Sequence, residues 1–147
     1  MIDQLATALR ATGQLLIARR KSGEFTYLRK EEAIVSASVD IEAHKFLALA
    51  LEDLKSGVPV LSEEDAQSLR GARPATYWLI DPLDGTASFV DGYSGFVTQA
   101  ALISNSQLLL AGVYAPALNE MYLAEIGKGA TKNSEPIKVS ERSSDNG

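Results

Sequence analysis

The chain has 147 residues, of which 46% are hydrophobic and 22% charged, and its net charge of −5 argues against a general nucleic-acid-binding surface. It has no cysteine and one histidine, His44, which excludes disulfides, thiolate zinc sites and multi-histidine metal sites. Any chemistry must therefore depend on carboxylates, hydroxyls and backbone groups, and carboxylates suit hard cations such as Mg²⁺.

Helical spacing dominates the first third of the chain. Residues 2–20 predict an amphipathic helix that Gly23 ends, and its apolar face consists of Leu5, Ala8, Leu9, Thr12 and Leu16. The weak alternation over residues 24–39 predicts an irregular β-hairpin. A second amphipathic helix is expected over residues 40–55, because apolar residues again recur on one face before Ser56 and Gly57.

Strand signals dominate the rest of the chain. The predicted strands are residues 58–61, 76–80, 95–104, 107–115 and 121–124. The second of these is strongly β-prone and is expected to stop at Asp81-Pro82, because proline cannot donate to a sheet. Two helices followed by several adjacent strands predict an α+β fold, in which both N-terminal helices pack on a mostly antiparallel sheet.

The motif Asp81-Pro82-Leu83-Asp84-Gly85-Thr86 directly follows the apolar strand 76–80. Asp81 and Asp84 offer two carboxylates for Mg²⁺, and the free N–H groups of Gly85 and Thr86 at a helix start face an anion favourably. A cation site beside a phosphate site is what metal-assisted phosphoryl hydrolysis requires. The alternative interpretation is a polar turn in which Asp84 only caps a helix.

Acidic residues also occur at two other predicted element boundaries. Glu63-Glu64-Asp65 follows the strand 58–61, and Asp40 begins the second helix. A two-metal centre needs carboxylates from several strand ends, so these residues are candidates for the same site. Taken alone, the acidic run is equally typical of a solvated helix start and Asp40 of a helix cap.

Three segments of the chain together resemble the inositol monophosphatase superfamily. They are residues 58–65, residues 77–86 with the Asp-Pro-Leu-Asp-Gly-Thr motif, and residues 112–122. The resemblance implies the N-terminal half of that family's layered sugar-phosphatase fold. It implies a metal-binding phosphatase-like domain over residues 1–131, followed over 132–147 by a polar tail or the start of a connection to a C-terminal domain.

The resemblance also implies a Mg²⁺ site with assigned ligands. Glu63 would be a metal ligand that helps to activate the attacking water. The remaining metal ligands would be Asp81, Asp84 and the backbone carbonyl of Leu83.

A second group of residues would act on the phosphate and the water. Gly85 and Thr86 would bind the phosphate, and the Thr86 hydroxyl would assist the water. Asp40 matches an aspartate that orients this threonine in the family, so the implied catalytic residues are Glu63, Thr86 and Asp40.

The activity that the resemblance implies is Mg²⁺-dependent phosphomonoester hydrolysis by an activated water. Within the superfamily the chain is most similar to bacterial 3′(2′),5′-bisphosphate nucleotidases, which convert 3′-phosphoadenosine 5′-phosphate to AMP. Because family members are much longer, the isolated chain is expected to be weakly active or inactive. The alternatives are an inositol monophosphatase-type sugar phosphatase and a non-catalytic binding or assembly domain that keeps the fold.

A third alternative, a haloacid-dehalogenase-type phosphatase, fits the residues poorly. That type carries two aspartates separated by one residue, whereas Asp81 and Asp84 are one position further apart with Pro82 between them. We further expect a small-molecule phosphate substrate, no nucleic-acid polymer as partner, no membrane span, a cytoplasmic location and self-association as a homodimer.

Overall fold

The computed structural model describes residues 1–30, 33–62, 64–65 and 70–140, with residues 33–36 described by their backbone alone. The helices are α1 (Ile2–Ser22), α2 (Ser38–Leu54) and α3 (Thr86–Val90). A hairpin consists of β1 (Tyr27–Lys30) and β2 (Ala33–Ala37). The main sheet consists of β3 (Val60–Ser62), β4 (Thr76–Asp84), β5 (Val97–Ser104), β6 (Gln107–Ala115), β7 (Glu120–Glu125), β8 (Gly129–Lys132) and β9 (Glu135–Ile137).

Both long helices form where the apolar spacing predicts them. The predicted face of α1 is buried, and α1 ends at Gly23, whose φ of 70° is left-handed and whose N–H donates to the carbonyl of Arg19. This backbone conformation favours glycine, which explains why the helix ends there. In the described part of the chain, no helix is both long enough and apolar enough to cross a bilayer.

The two long helices cover one face of the main sheet. Strand β3 pairs in parallel with β4, and each later strand pairs antiparallel with the one before it. Leu9 of α1, Leu47 of α2 and Trp78 of β4 are fully buried in the core between these layers. The predicted α+β fold, with helices packed on a mostly antiparallel sheet, is therefore confirmed.

The end of β4 differs from the sequence prediction. The strand was expected to stop at Asp81-Pro82, but it continues to Asp84. Asp81 pairs with Gln99 and Asp84 with Val97, so β4 contains one residue more than β5 over this stretch. Such a bulge accommodates a proline that cannot donate to the ladder, and it bends the strand.

The last two strands lie partly in the segment that was expected to be polar. β8 and β9 add to the sheet beside β7 and extend it to Ile137. Backbone pairing does not require apolar side chains, so composition alone missed these short strands. Residues 141–147 of the expected tail lie outside the described residues.

The sheet face opposite the helices is also apolar. Trp78 and Ile80 face the helices, so the alternation along β4 directs Leu79 to the other side. Leu79 is 38% exposed, and the register continues the row through Ala101, Ala111, Ala124 and Ala130. An antiparallel sheet with one solvated face normally carries polar residues at such positions. This pattern is typical of a sheet buried on both faces.

A bidentate ion pair ties the two long helices together. Arg19 Nε and Nη2 donate to the Glu42 carboxylate at 2.8 and 2.6 Å. These hydrogen bonds and the positive charge of Arg19 lower the pKa of Glu42. A lowered folded-state pKa contributes stability above the unfolded pKa of about 4.3, and this contribution disappears as the pH falls through the folded value.

We therefore expect Glu42→Gln to reduce the acid sensitivity of folding. Urea unfolding at pH 7 and at pH 3 should show that wild type loses its advantage over the variant at the lower pH. The exposed Glu52 on the same helix supplies the control, since Glu52→Gln leaves the Arg19–Glu42 pair intact and should still lose the contribution of that pair between pH 7 and pH 3. An advantage of wild type over Glu42→Gln that is equal at both pH values would contradict this account.

Candidate active site

The end of β4 carries the acidic residues of the motif. The strand is anchored by Trp78 and Ile80, which are buried in the main core. Past this anchor, Asp81 is half-buried, Leu83 is buried and Asp84 is exposed. The Asp84 Oδ2 atom accepts a hydrogen bond of 3.2 Å from Gln99 Nε2 of β5. The bulged end of β4 thus carries two carboxylates three positions apart in the chain, and a side chain of β5 orients one of them.

Gly85 makes the turn from β4 into α3. Its φ of 87° is left-handed, and a Cβ atom at this position would lie 2.5 Å from the carbonyl oxygen of Gly95. Only glycine avoids both the strain and the collision. Behind the turn, Phe89 is fully buried between Phe25 and Phe96, at ring-centroid distances of 5.1 and 5.3 Å. These contacts fix the position at which Thr86 begins α3.

Asp40 and Thr86 meet beside this turn. The Thr86 hydroxyl lies 3.2 Å from Asp40 Oδ1 and 3.3 Å from the Leu83 carbonyl, with either oxygen as acceptor. Asp40 is 2% exposed, and its Oδ2 accepts a 2.6 Å hydrogen bond from the Ala37 N–H at the start of α2. With its proton donated to one of these acceptors, the Thr86 hydroxyl keeps lone pairs that can accept a hydrogen bond from a water.

Strand β3 brings the other acidic segment to the same edge of the sheet. It runs parallel to β4, and Ser62 at its end pairs with Ile80, the residue before Asp81. The chain then turns, because the Ser62 side chain accepts from the Glu64 N–H and its carbonyl accepts from the Asp65 N–H. Glu63, the predicted ligand and water-activating residue, lies outside the described residues. Its role therefore stays a prediction.

The oxygen donors at the end of β4 fit a hard cation. Mg²⁺ is usually held by one or two carboxylates and keeps several waters, and Asp81, Asp84 and the Leu83 carbonyl provide that kind of donor set. No group of three or more carboxylate or imidazole side chains that could hold a metal occurs within residues 1–30, 33–62, 64–65 and 70–140. The assignment of each metal ligand therefore stays a prediction.

Two residues of this region were missed by sequence reasoning. Gln99 orients Asp84, and the Gly95 carbonyl lies against the Gly85 turn. Both contacts arise from the β4–β5 pairing and from the loop before β5. A lone glutamine or glycine in a strand or loop carries no local pattern, so no signal in the sequence pointed to either.

Comparison with known sequences supports the family that the motifs indicated. A profile of the inositol monophosphatase family matches residues 1–147. The chain is 35% identical over 130 residues to the 3′(2′),5′-bisphosphate nucleotidase CysQ of Salmonella typhimurium. The matched region covers 87% of this chain and 53% of that protein. It is also 35% identical over 140 residues to the putative Nus factor SuhB of Neisseria meningitidis, covering 92% of the chain and 52% of that protein.

Solved structures agree with these sequence matches. A Thermotoga maritima IMPase superimposes with a TM-score of 0.78 at 32% identity, over 92% of this chain and 52% of that one. The suhB protein of Bartonella henselae superimposes with a TM-score of 0.83 at 26% identity, over 95% and 54%. The chain therefore spans about half the length of these relatives. With a family profile that matches throughout and the same fold, the chain belongs to the inositol monophosphatase family.

Proposed function

We propose that the protein containing this chain is a Mg²⁺-dependent phosphomonoesterase. The observation that carries the proposal is the contact of the Thr86 hydroxyl with the buried Asp40, directly beside the carboxylates at the end of β4. A buried acid that holds a hydroxyl at the start of a helix is a costly arrangement, since burying a carboxylate requires compensating hydrogen bonds. Such an arrangement is typical of a site that orients a reactant.

The residues of the chain would divide the work as follows. Asp40 holds the Thr86 hydroxyl, whose lone pairs then orient a water for attack on phosphorus. Backbone N–H groups at Gly85 and Thr86 face the phosphate oxygens. Asp81, Asp84 and the Leu83 carbonyl would hold Mg²⁺, with Glu63 as a further ligand. When bound, the cation supplies Lewis acidity for the water and positive charge for the phosphate.

The substrate that we propose is a 3′-phosphorylated nucleotide such as 3′-phosphoadenosine 5′-phosphate, which would yield AMP. This assignment is supported by the 35% identity over 130 residues to the bisphosphate nucleotidase of Salmonella typhimurium. A relative from Thermotoga maritima that is 34% identical over 145 residues is a fructose-1,6-bisphosphatase/inositol-1-monophosphatase. A sugar phosphatase of that kind is therefore the second candidate.

A non-catalytic role is the third candidate. The chain is as similar to SuhB, a putative Nus factor, as to the nucleotidase, with 35% identity in both cases, and this favours a non-catalytic role. In this case the chain would keep the fold and serve in assembly. The absence of any Mg²⁺-dependent hydrolysis in a folded protein would favour this candidate over both phosphatases.

We further propose that another polypeptide segment completes the site. The chain spans about half of its relatives, and the face of the main sheet opposite the long helices carries the apolar row that begins at Leu79. A segment packed on this row would bury it, and it would lie close to Asp81, which is two residues from Leu79 on the same side of β4. We place the missing part of the substrate pocket there.

A chimera tests the proposed activity. This chain would replace the matched half of the Salmonella typhimurium nucleotidase, and phosphate release from 3′-phosphoadenosine 5′-phosphate, inositol 1-phosphate and fructose 1,6-bisphosphate would be measured. We expect release to need Mg²⁺, to stop with a chelator and to be fastest with the bisphosphonucleotide. A folded chimera that releases no phosphate from any of the three, while the parent enzyme does, would refute the catalytic proposal.

A further inference from the structure

We infer that Arg20 is a positioning residue for the candidate site, because it clamps the loop that supports the Gly85 turn. The inference rests on the proposed metal and phosphate site for its functional meaning. Arg20 lies in the last turns of α1, 65 residues before Gly85 in the chain, and belongs to none of the motifs that identify the family. Its role follows from three sets of contacts.

The guanidinium of Arg20 binds the loop between α3 and β5 at successive residues. Its Nη1 donates to the Tyr93 carbonyl at 2.7 Å, and its Nη2 donates to the Gly92 carbonyl. The same group lies over the Phe96 ring, 5.2 Å from the centroid. Charge-assisted hydrogen bonds are about twice as strong as neutral ones, and the planar fork of arginine matches two neighbouring acceptors.

The clamped loop lies directly against the turn of the motif. The Gly95 carbonyl and the Phe96 Cα occupy the space where a side chain of Gly85 would be, at 2.5 and 3.1 Å from an ideal Cβ position. Phe96 also contacts Phe89, the buried residue of α3. Movement of residues 92–96 would therefore move the turn that separates Asp84 from Thr86.

Two further contacts hold residues in or next to the same loop. The Tyr93 N–H donates to the Ser88 carbonyl at 2.8 Å, and Arg29 of β1 pairs with Asp91 at 2.9 Å. Arg20 adds the tie to α1, the longest helix of the core. Arg20 thereby links the position of α1 to the position of the Gly85 turn, because residues 92–96 contact both.

Arg10 provides a matched control on the same helix. Its guanidinium also lies over a ring, that of Tyr114 at 5.3 Å, and donates to Asn119 at 3.3 Å. These partners belong to β6 and the turn after it, not to the loop at residues 92–96. Arg20→Gln and Arg10→Gln thus remove the same kind of contact from α1, at different places.

The test combines amide hydrogen exchange with Mn²⁺ binding by the chain. In Arg20→Gln we expect exchange over residues 83–97 to become about tenfold faster, because the loss of hydrogen bonds from a charged group makes local opening easier by about that factor or more. We expect Mn²⁺ affinity to fall about tenfold, the lower end of what outer partners of a metal site contribute. Arg20→Lys should recover part of both, because an ammonium keeps the charge but not the fork. Arg10→Gln should change neither.

The exchange and Mn²⁺ results for these variants show whether Arg20 holds the loop and whether the loop affects the metal site. Unchanged exchange over residues 83–97 in Arg20→Gln overturns the clamp. Faster exchange with unaltered Mn²⁺ affinity overturns the coupling to the site, as does an equal loss of affinity in Arg10→Gln. Wild type that binds no Mn²⁺ counts against the proposed metal site instead, and the exchange result then still decides whether Arg20 positions the turn.

Discussion

Asp81→Asn is expected to weaken Mn²⁺ or Mg²⁺ binding to this chain by more than about 100-fold, since loss of an outer partner alone typically costs 10–100-fold. Asp81 follows the buried anchor of β4 and supplies one of the two carboxylates at the bulged strand end. The amide keeps the size of the side chain but removes its charge, and hard cations depend on that charge. Isothermal titration with Mg²⁺, or Mn²⁺ binding followed by electron paramagnetic resonance, measures the effect.

Asp53→Asn is the matched control for this measurement. Asp53 is an exposed aspartate on α2, away from the end of β4, so its substitution changes the net charge equally. We expect this variant to bind the cation like wild type. If Asp81→Asn also bound it like wild type, the assignment of the metal site to the end of β4 would be wrong.

Gly85→Ala is expected to destabilise the fold by about 2–5 kcal/mol, which sums the cost of a left-handed alanine and of overpacking a tight contact. The methyl group would lie 2.5 Å from the Gly95 carbonyl, and a backbone oxygen cannot move away without displacing the loop. Urea unfolding monitored by the fluorescence of the buried Trp78 would report the loss as a lower midpoint.

Gly127→Ala separates the conformational cost of a left-handed alanine from the steric cost of the contact with Gly95. Gly127 has a similar left-handed φ of 75°, but nothing lies within 4 Å of the position that its Cβ would take. This variant should therefore lose only the conformational part, about 1–2 kcal/mol. Equal losses in the two variants would show that the Gly85 turn is not confined by the loop at Gly95.

Elements with strong local patterns were predicted well. The apolar spacing of α1 and the glycine after it depend on neighbours three and four residues apart, which is why the helix could be assigned without a structure. The strands β5 and β6 were also recognisable, because their β-prone runs meet at a short turn. β4 was predicted too short, since a proline normally ends a strand and only the pairing with β5 reveals the bulge.

The motif identified the residues of the candidate site but not the neighbouring residues that hold them in position. The run from Asp81 to Thr86 could be identified because six adjacent residues carry the family's pattern together. The contact of Thr86 with Asp40 joins residues 46 positions apart, and the resemblance implied it before the structure showed the distance. The contact of Asp84 with Gln99 had no such indication, because it depends on the register of two strands.

Composition alone predicted that any metal site in the chain would use oxygen ligands and a hard cation, because a chain with no cysteine and one histidine offers few other ligands. Tertiary packing decided which groups surround the Gly85 turn, beside which the candidate ligands lie. Arg20 donates to the carbonyl of Tyr93, which is 73 residues further along the chain, and the Gly95 carbonyl lies against Gly85. Contacts of this range follow from how helices and strands are placed against each other, and no periodicity or motif within the chain encodes them locally.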